Sequence, residues 1–290
     1  MDSILEFFEK IDRRVIFLFV GISLSIPIIY GVSLKPAKMQ ASESFFKAVE
    51  KLEPNSKKIV LLASDWGPST MAENKPQTMV AIEHLMRKRI PFAITSLFPI
   101  AAPFLEELPV VVKNKLEQET GETWEYGKDW VNLGFRPGGS LMVQNFAKSE
   151  DFAAFLEADA GSTPISEIPM MRDVKSIKDV AMLMEFTGSV GAFNVWLQFF
   201  SGPTYVHGCT SITIPEAFNY YATKQIVGLF EGVAGAAYYE SRLSGMYKTR
   251  EKGGQASATN SGLSFAQLGV FGFIFLGNIG LLAKYFRSRE

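Results

Sequence analysis

His207 and Cys209, in Tyr-Val-His-Gly-Cys-Thr-Ser, are the sharpest chemical pair in the chain. A thiol beside an imidazole can serve as nucleophile and base. Residues two apart on a strand face the same way, so the two side chains could meet. The plainer reading is that a cysteine ending a buried strand is a small core residue. His84 is the only other histidine and Cys209 the only cysteine. That set is poor for a metal site and excludes an intramolecular disulfide framework.

A second group of polar residues follows segments that read as strands: Ser64, Asp65 and Trp66, then Ser96, Arg136, Thr187 with Gly188, and Cys209 with Thr210. Open parallel sheets bind ligands beyond the carboxyl ends of their strands. Asp65, Trp66, Ser96, Arg136, Thr187 and Thr210 are therefore the candidate ligand site, an acid, a guanidinium and hydroxyls around a small polar molecule. Against this, such loops are polar in every α/β domain, with Asp65 and Ser69 acting as turn residues and helix caps. Asp129, Glu185 and Glu216 are further acids, but no spacing favours a carboxylate pair for acid–base work.

Nucleotide and hydrolase signatures are missing: there is no GxGxxG, GxxxxGK[ST] or GxSxG. The turn SDWGPSTMAENKP has one glycine and two prolines, not a phosphate cradle. Phe-Arg-Pro-Gly-Gly-Ser at 135–140 could open a helix toward an anion or simply end a strand. No cofactor is assigned.

The elements that must position these residues alternate. Strands are expected at 58–63, 91–97, 130–135, 180–186 and 205–209. Helices are expected from Ser42, at 73–88, at 102–119 around Pro109, from Ser140 and at 193–200, with a loop at 159–174 and one long helix at 217–243. This predicts an α/β fold, a doubly wound, mostly parallel five-stranded sheet of Rossmann-like or flavodoxin-like type. On the long helix Gly228, Gly232 and Gly235 lie at i, i+4 and i+7, and Ala236 and Tyr239 extend their face. Helical glycine costs about 1 kcal/mol against alanine. The face then either packs closely on the domain's own sheet or docks a second protein or subunit.

Composition narrows the classes. The 290 residues are 47% hydrophobic and 20% charged, with formal net charge −1, which excludes a disordered chain and gives no case for nucleic acid. Mean hydropathy is +0.11, between a soluble protein and a many-helix transporter. Val15 to Leu34 and Leu263 to Ala283 supply the excess, each uncharged and long enough to cross a bilayer. The alternatives are a signal peptide for the first and a core helix for the second. The expected organisation is a tail at 1–14 that lies on the bilayer or extends the helix, a membrane helix at 15–34, an α/β domain at 35–252, a flexible linker at 253–262, a membrane helix at 263–283 and a basic tail at 284–290. Gly269, Gly272 and Gly280 on the second helix would let helices pack closely. Both short tails are basic, through Lys10, Arg13 and Arg14 and through Lys284, Arg287 and Arg289. The inner flanks are basic too, at Lys35, Lys38, Lys248, Arg250 and Lys252, but long loops count little, so the expectation is cytoplasmic tails with the domain outside the cell membrane, the reverse being the alternative.

Ile-Asp-Arg-Arg at 11–14, Asn-Lys-Pro-Gln with His-Leu-Met-Arg-Lys between Asn74 and Lys88, Leu133 to Gly139, Arg172 to Leu183 and Gly228 to Glu240 together resemble a family of bacterial membrane-anchored proteins with no assigned activity. The resemblance covers most of the chain. It implies one α/β domain between two transmembrane helices and supplies no catalytic residues.

The functional expectation is a structural or interaction subunit of a membrane complex, with other membrane proteins or a second copy as partners and no nucleic acid. The alternative is a small-molecule-binding or sensing domain using the strand-end residues. A third is a hydrolase at the same edge, using Cys209 or a carboxylate.

Overall fold

The computed structural model describes residues 12–54, 57–248 and 254–287. The expected tail at 1–14 thus lies mostly outside the described residues. The chain divides into two compact units, Met1–Lys35 with Arg250–Glu290, and Pro36–Thr249.

In chain order the elements are α1 (Arg13–Tyr30), α2 (Gln40–Glu50), β1 (Ile59–Asp65), α3 (Met71–Arg87), β2 (Phe92–Ser96), α4 (Ala102–Thr120), β3 (Trp130–Phe135), α5 (Gly139–Lys148), α6 (Phe152–Leu156), β4 (Val180–Thr187), α7 (Val190–Phe199), β5 (Thr204–Cys209), α8 (Ile214–Ala222), β6 (Gly228–Glu231), α9 (Gly232–Tyr247) and α10 (Gln255–Arg287). The strands form one parallel sheet in the order β3-β2-β1-β4-β5-β6. The sheet is six-stranded, not five-stranded as the sequence suggests. Its order reverses between β1 and β4, the doubly wound arrangement.

All seven residues of β1 are buried, as a central strand covered on both faces requires. On one face Leu61, Ala63 and Leu183 meet Val143 and Phe146 of α5 and Phe193 and Trp196 of α7. The opposite face carries α2, α3 and α9. There Phe45 stacks on Phe230 with centroids 4.1 Å apart, and Phe46 packs against His84 and Tyr239.

The segment expected as one helix at 217–243 is three elements. Lys224 (φ 63°) and Gly232 (φ 62°) take the left-handed conformation, which a continuous helix does not tolerate. Gly228 is consequently on a strand, and the three glycines do not share a helical face. Each answers a local demand. A Cβ on Gly228 would lie 2.3 Å from Phe45 Cα, and one on Gly235 would lie 2.6 Å from Ser42 Oγ. Tyr239 is fully buried.

In the other unit, α1 and α10 are long and apolar enough to cross a membrane. Only 6% and 12% of their apolar windows are buried, unlike a core helix. They pack on one another. A Cβ on Gly269 would lie 1.9 Å from Phe19 Cε1, so Gly269 is one site of close approach, while Gly272 has nothing within 4 Å. The surroundings of Gly280 lie outside the described residues. The flexible linker expected at 253–262 is instead helical from Gln255. Ser261 Oγ donates to Ser257 O and accepts from Leu34 N at 2.8 Å, which ties that stretch down.

Candidate functional site

Two loops cross the point where strand order reverses: residues 66–70 after β1 and 188–189 after β4. Together with Phe98 and Ile100 after β2 they line a crevice of about 460 Å³. This is the place an open parallel sheet offers a ligand. The loops approach closely, for a Cβ on Gly188 would lie 2.6 Å from Thr70 Cγ2. Among the described residues no Lys, Arg or His lines the crevice.

Beneath its floor lies a buried polar network. Asp65 Oδ1 accepts from Ser96 Oγ (2.8 Å) and Leu97 N, and Oδ2 accepts from the Trp196 indole N–H at 2.6 Å. Thr187 Oγ1 donates to the Asp65 carbonyl at 2.6 Å. Asp65 is fully buried, and burial followed by the nearby Glu185 charge pushes its carboxyl up to about 7, against the three donors that lower it. Asp65 is thus neither a solvent-facing turn residue nor a helix cap. Nor does Ser69 cap α3, whose first turn has no side-chain cap.

Asp65, Ser96 and Thr187 are therefore brought together as the sequence suggests, and Trp66 lines the crevice. The Trp66 ring is buried, stacked on Phe104, and its N–H donates to Thr78. Two expected residues stand elsewhere. Thr210 pairs with Thr213 at the end of β5. Arg136 follows β3, the edge strand, and donates to the carbonyls of Leu156 (2.9 Å) and Ala158 (2.6 Å). It clamps the chain after α6 and lies away from the crevice. Burial lowers its pKa, against Asp159 and Glu157.

Next along the same face, Glu185 and His207 are register partners on β4 and β5. His207 Nδ1 lies 3.0 Å from Glu185 Oε2 at an oblique angle, an ion-pair distance without an aligned hydrogen bond. Tyr205 Oη donates to the same Oε2 at 2.6 Å. The imidazole stacks on Phe193, centroids 4.2 Å apart. A chamber of about 10 Å³, enough for roughly one water molecule, is lined by His207, Thr187, Ser189, Val190, Thr213 and Glu216. Ser189 lines both chamber and crevice.

The surroundings of Cys209 disfavour a nucleophilic role. Its thiol is buried, donates to Phe230 O, and is pushed up to about 12 by burial, so the thiolate does not form near neutrality. Among the described residues no group of three or more His, Cys, Asp or Glu could hold a metal ion. Trp196 and Ser189 escape a reading of the sequence. One signal for the network exists there, the lone acid Glu185 inside the otherwise apolar Val-Ala-Met-Leu-Met-Glu-Phe strand.

The fold and site define a parallel α/β protein of Rossmann-like topology with a crevice at its switch point. No protein-family model, no curated protein and no solved structure matches the chain.

Proposed function

We propose that the chain is a membrane-anchored α/β domain that binds a small molecule in the crevice between the loops after β1 and β4. The observation that carries this is the coincidence of that crevice with the reversal of strand order. Its walls favour a ligand without concentrated negative charge, since they combine Phe98, Ile100 and Pro68 with the hydroxyls of Ser69, Thr70 and Ser189 and hold no cationic side chain. The interaction-subunit reading keeps the double anchor but loses one of its motives, because Gly228, Gly232 and Gly235 do not share a helical face. The inner-membrane location, with the domain outside, rests on the two apolar helices and the basic residues at Lys10, Arg13, Arg14 and Lys284. The test is thermal unfolding of the full chain in mild detergent against nucleotides, sugar nucleotides, amino acids and small esters. At least one compound is expected to raise the midpoint by several degrees.

A further inference from the structure

The two histidines of this chain are held in opposite ways. His84 is fully buried with both ring nitrogens engaged, Nδ1 by Tyr239 Oη and Nε2 by Glu50 Oε1 at 2.7 Å. That is how a structural imidazole satisfies itself. His207 is buried too, but its Nδ1 stands at ion-pair distance from Glu185 Oε2, 3.0 Å, without a hydrogen bond. Its Nε2 has no hydrogen-bond partner among the described residues, and the ring forms part of the wall of the water-sized chamber. Glu185 is fully buried, and its second oxygen, Oε1, has no partner either.

We propose that His207, held against Glu185, is a proton-transferring group that serves the switch-point crevice, and that the ligand class is a neutral acyl compound such as an ester, cleaved by water. This rests on the crevice being the ligand site. Ser189 lines both spaces, which sets the chamber directly beside the crevice. The chamber accommodates the attacking water. His207 Nε2 takes a proton from that water as its oxygen bonds to the carbonyl carbon and the C=O electron pair moves onto oxygen. Glu185 offsets the imidazolium that forms, and Tyr205 holds the carboxylate through Oε2. The tetrahedral species then expels its alkoxide, which takes the proton back from Nε2. Acid and alcohol leave, and nothing is oxidised or reduced. Ser189 and Val190, at the start of α7, also line the chamber, so the positive end of that helix lies where the oxyanion develops. Glu185 is a positioning residue; His207 carries the proton.

The test uses the full chain in mild detergent with p-nitrophenyl acetate as the probe. His207→Gln is expected to lower turnover about a hundredfold, and free imidazole is expected to restore part of the rate to His207→Ala. Glu185→Gln is expected to lower kcat and leave KM unchanged. The kcat of the unmutated protein is expected to fall in heavy water, as proton transfer from the attacking water to a general base requires, which covers the case of a variant that misfolds. Turnover in the unmutated protein no faster than in folded His207→Gln overturns the proposal, as does a kcat that heavy water leaves unchanged. Ile100→Trp fills the crevice mouth. If it keeps His207-dependent turnover, the crevice reading fails and the His207 chemistry stands. If compounds shift the melting midpoint but turnover ignores His207, the crevice stands and this proposal fails.

Discussion

Trp196, on α7, donates its indole N–H to the carboxyl of Asp65, at the end of β1, across 2.6 Å of buried space. That contact joins the helix above the sheet to the strand at the switch point, and it fixes the floor of the crevice. Asp65→Asn keeps an acceptor for Leu97 N and Ser96 but turns an N–H₂ toward the Trp196 N–H. Two donors then face each other in a buried site, and the expected cost is about 2 kcal/mol in urea unfolding.

The same carboxyl makes stability depend on pH. Its folded pKa, about 7, lies above its unfolded value near 4, so the folded state holds the proton longer. The contribution is full below about pH 4 and is lost as pH rises through about 7. The stability advantage of the unmutated protein over Asp65→Asn is expected to fall as pH rises from 5 toward 8, by up to about 1.4 kcal/mol per pH unit below pH 7. Unfolding curves at the two pH values measure it, and a constant difference would refute the raised pKa.

Gly228→Ala separates packing from docking. Its Cβ would lie 2.3 Å from Phe45 Cα and 2.5 Å from Phe45 N, atoms of backbone that cannot swing aside. The expected loss is about 3 kcal/mol or more in an unfolding titration. Were Gly228 part of an outward docking face, alanine there would leave the domain's stability unchanged.

Tyr239→Phe removes the hydroxyl that satisfies His84 Nδ1. A buried acceptor without a partner costs about 1–3 kcal/mol, and calorimetric unfolding reads the loss. Burial already holds the His84 pKa below its usual value, so its contribution is present above about pH 6.5 and is lost as pH falls through the lowered value.

If α1 and α10 cross a bilayer, as their length and apolar character would allow, the chain is expected to stay with the membrane after an alkaline carbonate wash. Release into the supernatant would contradict the anchored reading.

Five of the six strands were legible because their apolar runs are short and bounded by turn residues. β6 was not. Gly-Leu-Phe-Glu is only four residues, and the glycines around it fall at helical spacing. Its strand character comes from pairing with β5 and from the close approach of Phe45, neither of which is local. The candidate site divides in the same way. Asp65, Ser96 and Thr187 follow strands that turn out adjacent, so reading strand ends found them. Arg136 also follows a strand, but only the order of the sheet reveals that β3 lies at its edge. Trp196 reaches Asp65 from the middle of an apolar helix, where nothing in the sequence separates an indole with a buried partner from ordinary core. The helical start of the stretch at 253–262 was hidden by its glycine and serine content, which reads as linker until Ser261 is seen bonded on both sides.

The central claim is that the crevice binds a small molecule. The most direct measurement compares ligand-induced thermal stabilisation in the unmutated full chain and in Ile100→Trp, whose enlarged side chain occupies the crevice from an exposed position without disturbing the core. The account expects a compound that raises the midpoint of the unmutated protein by several degrees and leaves the variant's unchanged. A shift of equal size in both proteins would contradict it.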